Sequence, residues 1–239
     1  MLNSEQGFTI IESLIAMAIV GIVLTGIHNL AISSSQLYVA QNAVVQMQAD
    51  GRAAMEFMTR ELRLLSGNPT ISTTVTDNDT IRFNRVEDIG YASGWSATTL
   101  TDNRKAWQPG AFDPSQTSAF TLTIVNGTGS GQARSITGNS ATQLTVGQDW
   151  GITPDASSRY IITSDKRFAR TSATDNILRY RIGATGDNNP LAENITYLRF
   201  LQPDPNSITI ELTARTKDID PIKKQYRYYN LSETVRRRN

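Results

Sequence analysis

The chain has 239 residues, 39% hydrophobic and 19% charged, with a formal net charge of +1. These are the proportions of a folded domain rather than a disordered one, and they create no global field toward nucleic acid. With no cysteine and a single histidine, His28, the sequence excludes disulfides, thiolate metal sites, thiol nucleophiles and imidazole triads in the soluble part. Any catalysis would have to run on carboxylates, and no carboxylate pair stands out.

The first seven residues, MLNSEQG, contain no Lys or Arg, so the chain does not open like a secretory signal. From Phe8 to Ile27 it reads FTIIESLIAMAIVGIVLTGI. As a helix this run is about 30 Å long, enough to cross a bilayer core. Inside it sits Glu12. A carboxylate facing lipid alone costs several kcal/mol, so Glu12 needs a partner and is a functional candidate. The plainer alternative is an ordinary signal anchor in which Glu12 lies close enough to the interface to reach water.

Gly7 directly before Phe8, a glutamate at the fifth position from Phe8, and an uninterrupted apolar run coincide. Together GFTIIESLIAMAIVGIVL resembles the prepilin motif of type IV pilins and type II secretion pseudopilins. The resemblance implies a leader of residues 1–7, cut after Gly7 by a prepilin peptidase that also methylates the new N-terminus at Phe8. It implies that Glu12 pairs with the N-terminal amine of a neighbouring subunit. The implied partners are membrane lipid before assembly, the inner-membrane assembly platform, and other pilins through the N-terminal helix. Leaders of this family usually carry Lys or Arg, whereas this one carries Glu5. No Lys or Arg precedes Arg52, so charge does not orient the span. Head outside, in the periplasm or on a filament, is again implied by the resemblance.

Beyond residues 8–27 the helix is expected to continue through 28–66. Leu30, Leu37, Val44, Met47, Gly51, Met55, Met58, Leu62 and Leu65 follow steps of seven, three and four, one stripe of a helix. Gln41, Gln48, Arg52, Arg60 and Glu61 fall largely off it, and Ser66 to Pro69 supply a stop. Gly21, Gly26 and Ser33 to Ser35 weaken the helix near the membrane exit. His28, just past the apolar run, reads as an interfacial or packing residue.

Residues 67–239 predict a β-rich head, giving an α+β fold: a long N-terminal helix packed on an antiparallel sheet. Strands are expected at Thr80–Val86, Ala119–Val125, Ala141–Val146, Arg159–Thr163, Ile177–Ile182, Ile195–Leu201, Ser207–Ala214 and Gln225–Leu231. Turn chemistry marks Asn126-Gly127, Thr137 to Asn139, Gly186 to Pro190 and Pro203 to Asn206. Residues 109–164, rich in Gly, Ser and Thr, read as an inserted β module. Within it GTGSGQ lacks the lysine of a phosphate loop and reads as a hairpin tip.

NITYLRFLQPDPNSITIELTARTKD and the terminal YRYYNLSETVRRRN are similar to the C-terminal sheet of W-type minor pilins and J-type minor pseudopilins, with Thr234, Val235, Arg238 and Asn239 matching the terminal pattern. This implies a minor pilin that primes assembly or sits at the tip, or a minor pseudopilin. A signal-anchored periplasmic adhesive or binding module is the rival from another class. No cofactor is expected. Asp77, Asp79 and Asp187 are candidates for calcium, set against solvated turns, because neither cluster forms a twelve-residue calcium loop. Arg236, Arg237 and Arg238 are candidates for DNA phosphates, set against a solvated chain end. Trp95, Trp107 and Trp150 with Tyr91 read as packing residues, set against an adhesive surface.

Overall fold

The computed structural model describes residues 9–75, 78–113, 120–170, 175–183 and 188–237. Among these residues one helix, α1 (Ile10–Arg63), precedes thirteen strands: β1 (Leu65–Val75), β2 (Asn78–Tyr91), β3 (Gly94–Trp95), β4 (Thr99–Thr101), β5 (Phe120–Asn126), β6 (Ala133–Asn139), β7 (Gln143–Val146), β8 (Arg159–Arg170), β9 (Leu178–Ile182), β10 (Asn188–Ala192), β11 (Ile195–Asp204), β12 (Ser207–Arg215) and β13 (Tyr228–Arg236). The strands follow the order β13-β12-β11-β2-β8-β5-β6-β7-β4-β3, with β1 on β2 and β9 joining β8 to β10. All pairings are antiparallel except a single parallel contact between β11 and β2, Leu198 with Asn78. A long apolar N-terminal helix followed by a mostly antiparallel sheet is the α+β, pilin-like arrangement expected from the sequence.

The chain divides into two compact bodies, Met1–Gln46 with Thr216–Arg227, and Met47–Arg215 with Tyr228–Asn239. In the larger one, the C-terminal part of α1 buries Met47, Gly51, Ala54, Met55, Met58 and Leu62. Its sheet buries Ile81, Phe83, Phe168, Leu198, Phe200, Ile210, Leu212 and Val235. Strand β12 alternates buried with half-buried residues along almost its whole length, as a strand with one covered face must. Each fully buried Leu or Ile here contributes about 2 kcal/mol. Gly51 lets strand and helix approach, since a Cβ there would stand 3.3 Å from Leu231 Cδ1. Leu30 and Leu37, the first residues of the same stripe, are exposed.

Glu61 does not stay off the buried face. It is 6% exposed because it has charged company: its Oε2 meets Arg85 Nε at 3.0 Å and accepts from Tyr180 Oη at 3.0 Å. Arg85 also pairs with Glu87, which accepts from Ser164 and faces Lys166 Nζ at 3.7 Å. Burial holds the Lys166 ammonium below its usual range, against the pull of Glu87 and Glu61. Burial and the Glu61 charge push the Tyr180 phenol up, so it stays a hydrogen-bond donor.

A second core lies in the same body, with Leu100, Phe112, Leu122, Ile124, Ile136, Leu144, Trp150, Tyr160 and Ile162 buried together. It gathers β4 to β8 and reaches back to Ala92 and Leu100. Beside it, Tyr160 Oη donates to Asp102 Oδ2 at 3.0 Å. The GTGSGQ segment is the tip joining β5 to β6, and its Gly127 adopts φ +81°.

Several turn assignments need correcting. Thr137 to Asn139 belong to β6, and Ser66 to Pro69 to β1. Asn188 to Pro190 open β10, while residues 184–187 lie outside the described ones. In β6 and β10, ladder pairing with β7 and β9 outweighs the local turn preference of Gly, Asn and Pro, while Gly67 to Pro69 fall in a register shift of β1. The last strand starts at Tyr228 instead of Gln225 because the preceding residues close a loop around Asp220. Its carboxylate accepts from the amides of Ile222 and Lys223 and from Arg227 Nε at 2.8 to 2.9 Å.

Candidate assembly site

Between Thr9 and Ile27 the polar side chains are Thr9, Glu12, Ser13 and Thr25, and each is tied within its own helix. Thr9 stands just ahead of α1, in the N-cap position, with Glu12 as the third helical residue. The Thr9 amide and hydroxyl both reach Glu12 Oε2 at 3.1 Å, and the Glu12 amide donates to Thr9 Oγ1 at 3.3 Å. This reciprocal capping box satisfies donors that the first helical turn leaves open, and the positive end of the helix dipole favours the carboxylate. Ser13 Oγ donates to the Thr9 carbonyl at 3.4 Å and Thr25 Oγ1 to the Gly21 carbonyl at 2.8 Å. Bonding back to the preceding turn removes most of the penalty for hydroxyls in an apolar span.

Capping leaves two demands unmet. Glu12 is engaged through Oε2 alone, and no cation pairs with it among the described residues. Around it the helix carries an uncovered apolar surface, with Ile10 84%, Met17 72% and Ile22 74% exposed. None of its most apolar stretch is buried, and it is long and apolar enough to cross a membrane. Such a surface is stable only against lipid or other apolar helices, and in either setting a lone carboxylate calls for a cation. The role of Thr9 is legible in the spelling T-x-x-E ahead of an apolar run.

The other candidate residues do not converge. Gly7, Phe8, Asp77, Asp187 and Arg238 lie outside the described residues. Asp79 is 6% exposed and its Oδ2 accepts the Phe200 amide at 2.9 Å, so it joins β2 to β11 instead of opening to solvent. Among the described residues no group of three His, Asp or Glu gathers in a metal-binding arrangement. Arg236 is exposed at the end of β13. Arg237 is a structural tie, donating to the carbonyls of Gly67 and Pro205 and to Asn206 Oδ1. Of the aromatics, Trp150 is buried and Trp107 donates to Asp88 at 2.7 Å. Trp95 and Tyr91 are more than two-fifths exposed, so the four form no single surface. His28 lies exposed on α1.

Residues 2–27 match the prokaryotic N-terminal methylation motif. No curated protein and no solved structure matches the chain. The motif supports a protein of the type IV pilin or pseudopilin kind, processed by prepilin peptidase and assembling with other pilins. Proteins of this kind are generally structural and not enzymatic. Motif and apolar helix together are consistent with a membrane-anchored protein.

Proposed function

We propose that the chain is a minor type IV pilin, cut after Gly7, methylated at Phe8, and drawn from the inner membrane into a pilus, where it primes assembly or sits at the tip. Residues 8–27 serve first as the membrane span and then as filament core, 28–66 continue the helix, and 67–239 form the head outside. The observation carrying this reading is the uncompensated carboxylate of Glu12 in an uncovered apolar helix, directly behind the methylation motif. A neighbour's N-terminal amine supplies the missing cation, and in the low dielectric of a helix bundle that pair fixes the stagger between subunits. The second reading, a minor pseudopilin of a type II secretion system, draws on the same C-terminal pattern from Asn194 to Leu198 and Thr234 to Asn239. A signal-anchored module that never assembles is the third, and it differs in keeping residues 1–7.

Replacing Glu12 with Ala tests the role. Membrane insertion should be unchanged, while the amount recovered in sheared filaments should fall at least tenfold, the equivalent of about 1.4 kcal/mol. Undiminished incorporation of Glu12→Ala would remove Glu12 from the mechanism.

A further inference from the structure

Among the described residues, strand β13 ends the sheet and pairs only with β12, leaving its far side open. The Arg237 amide donates to the Asn206 carbonyl, and the register runs unbroken from Arg236 opposite Ser207 to Tyr228 opposite Arg215. By the alternation of an antiparallel ladder, odd-numbered residues of β13 therefore bond toward β12. The amides and carbonyls of Tyr228, Asn230, Ser232, Thr234 and Arg236 point to the open edge.

The other outlying strands are blunted in the ways that keep sheets from pairing further. Strand β1 contains Gly67 and Pro69 and two register shifts, β10 contains Pro190 and one shift, and β3 has two residues. Strand β13 has no proline, glycine, lysine or bulge. Alongside it runs a groove with Arg52, Met55, Thr59 and Arg63 of α1 on one wall and Leu231 and Glu233 on the other. Thr59 is 5% exposed, and its Oγ1 has no hydrogen-bond partner. Arg60 and Glu56 also line the groove, so three guanidiniums face two carboxylates, and Arg60 and Arg63 make no ion pair among the described residues.

We infer that β13 is a strand-addition site for an extended segment of another protein, with apolar and acidic residues alternating. Backbone groups of the incoming strand bond to the five open positions. Its groove-facing carboxylates meet Arg60 and Arg63. A second copy of the chain is the less suitable occupant. Its β13 carries a single carboxylate, Glu233, where the two arginines call for alternating acidic residues.

The test uses the full chain in lipid nanodiscs and two fluorescent peptides of the strand's length, alternating glutamate with valine or lysine with valine. The glutamate peptide should bind at least tenfold more tightly than the lysine peptide. Ser232→Pro removes an edge-facing amide without touching the β12 ladder, and should weaken binding at least tenfold at an unchanged unfolding midpoint. Arg60→Glu with Arg63→Glu, on the exposed side of α1, should reverse the preference between peptides. Equal affinity for both peptides, no binding of either, or indifference to Ser232→Pro would overturn the proposal. So would self-association abolished by Ser232→Pro, which would make the occupant a copy. An uncut leader, fatal to the pilin reading, would leave these outcomes unaffected.

Discussion

Thr9 and Glu12 place a cap and a charge at the same point of the helix. The cap holds Glu12 Oε2 on its own chain, and among the described residues the other oxygen has no partner. Thr9→Val keeps the shape but removes the hydroxyl that both donates to Glu12 and accepts from its amide. Losing a cap of this type costs about 1 kcal/mol. Amide exchange in the first helical turn, followed in nanodiscs, should quicken roughly fivefold relative to wild type; unaltered exchange would show that the capping box does not hold the helix start. Glu12 was legible in the sequence because a carboxylate among apolar residues is conspicuous by itself. Asp79 and Arg237 were not, since their partners Phe200 and Gly67 lie 121 and 170 residues away in the chain. Nothing local in DND or RRRN announces such ties. Glu61 was misplaced for a related reason: helical periodicity assigns it to the outer face, while Arg85 and Tyr180, both remote, bring it inside.

Among the elements, α1 was the most readable, because its apolar spacing persists without proline from Phe8 to Leu65. The glycines and serines near the membrane exit do not interrupt it, each costing no more than about 1 kcal/mol in a helix of this length. Strands β6 and β10 were hidden by Gly, Pro and Asn, whose local preference for turns yields to ladder bonds with β7 and β9, and β1 was hidden by the register shift at Gly67 to Pro69. The loop between β12 and β13 has a pH signature. Amide bonds from Lys223 and the Arg227 guanidinium hold the Asp220 carboxyl down to about 2, against burial, which raises it. Because the folded value lies below the unfolded one of about 4, the stabilisation is complete above pH 4 and is lost as pH falls toward 2. Exchange protection of the Ile222 and Lys223 amides, referred to the unfolded chain, should therefore decline across that window. In Asp220→Asn it should be lower at neutral pH and flat through the same range; protection equal to wild type would mean that the charge does not organise the loop.

At the scale of the whole molecule, the class of protein was legible in some twenty residues at the N-terminus, where the requirements of membrane, peptidase and neighbouring subunit coincide. The head was legible as β-rich from its alternating strands and turn residues, but its two cores were not, because Leu100, Ile136 and Tyr160 come together only through the sheet order. Strand β13 shows the same division. Its alternation is plain in the sequence, whereas its place at an open edge beside α1 depends on topology. In the proposed assembly everything begins with the chain becoming competent to assemble.

Mass spectrometry of the native protein's N-terminus, from cells with a working prepilin peptidase, tests that step most directly. The chain should begin at Phe8 with a methylated amine, the group we propose as the partner of a neighbour's Glu12. A mature protein still beginning at Met1 would contradict it.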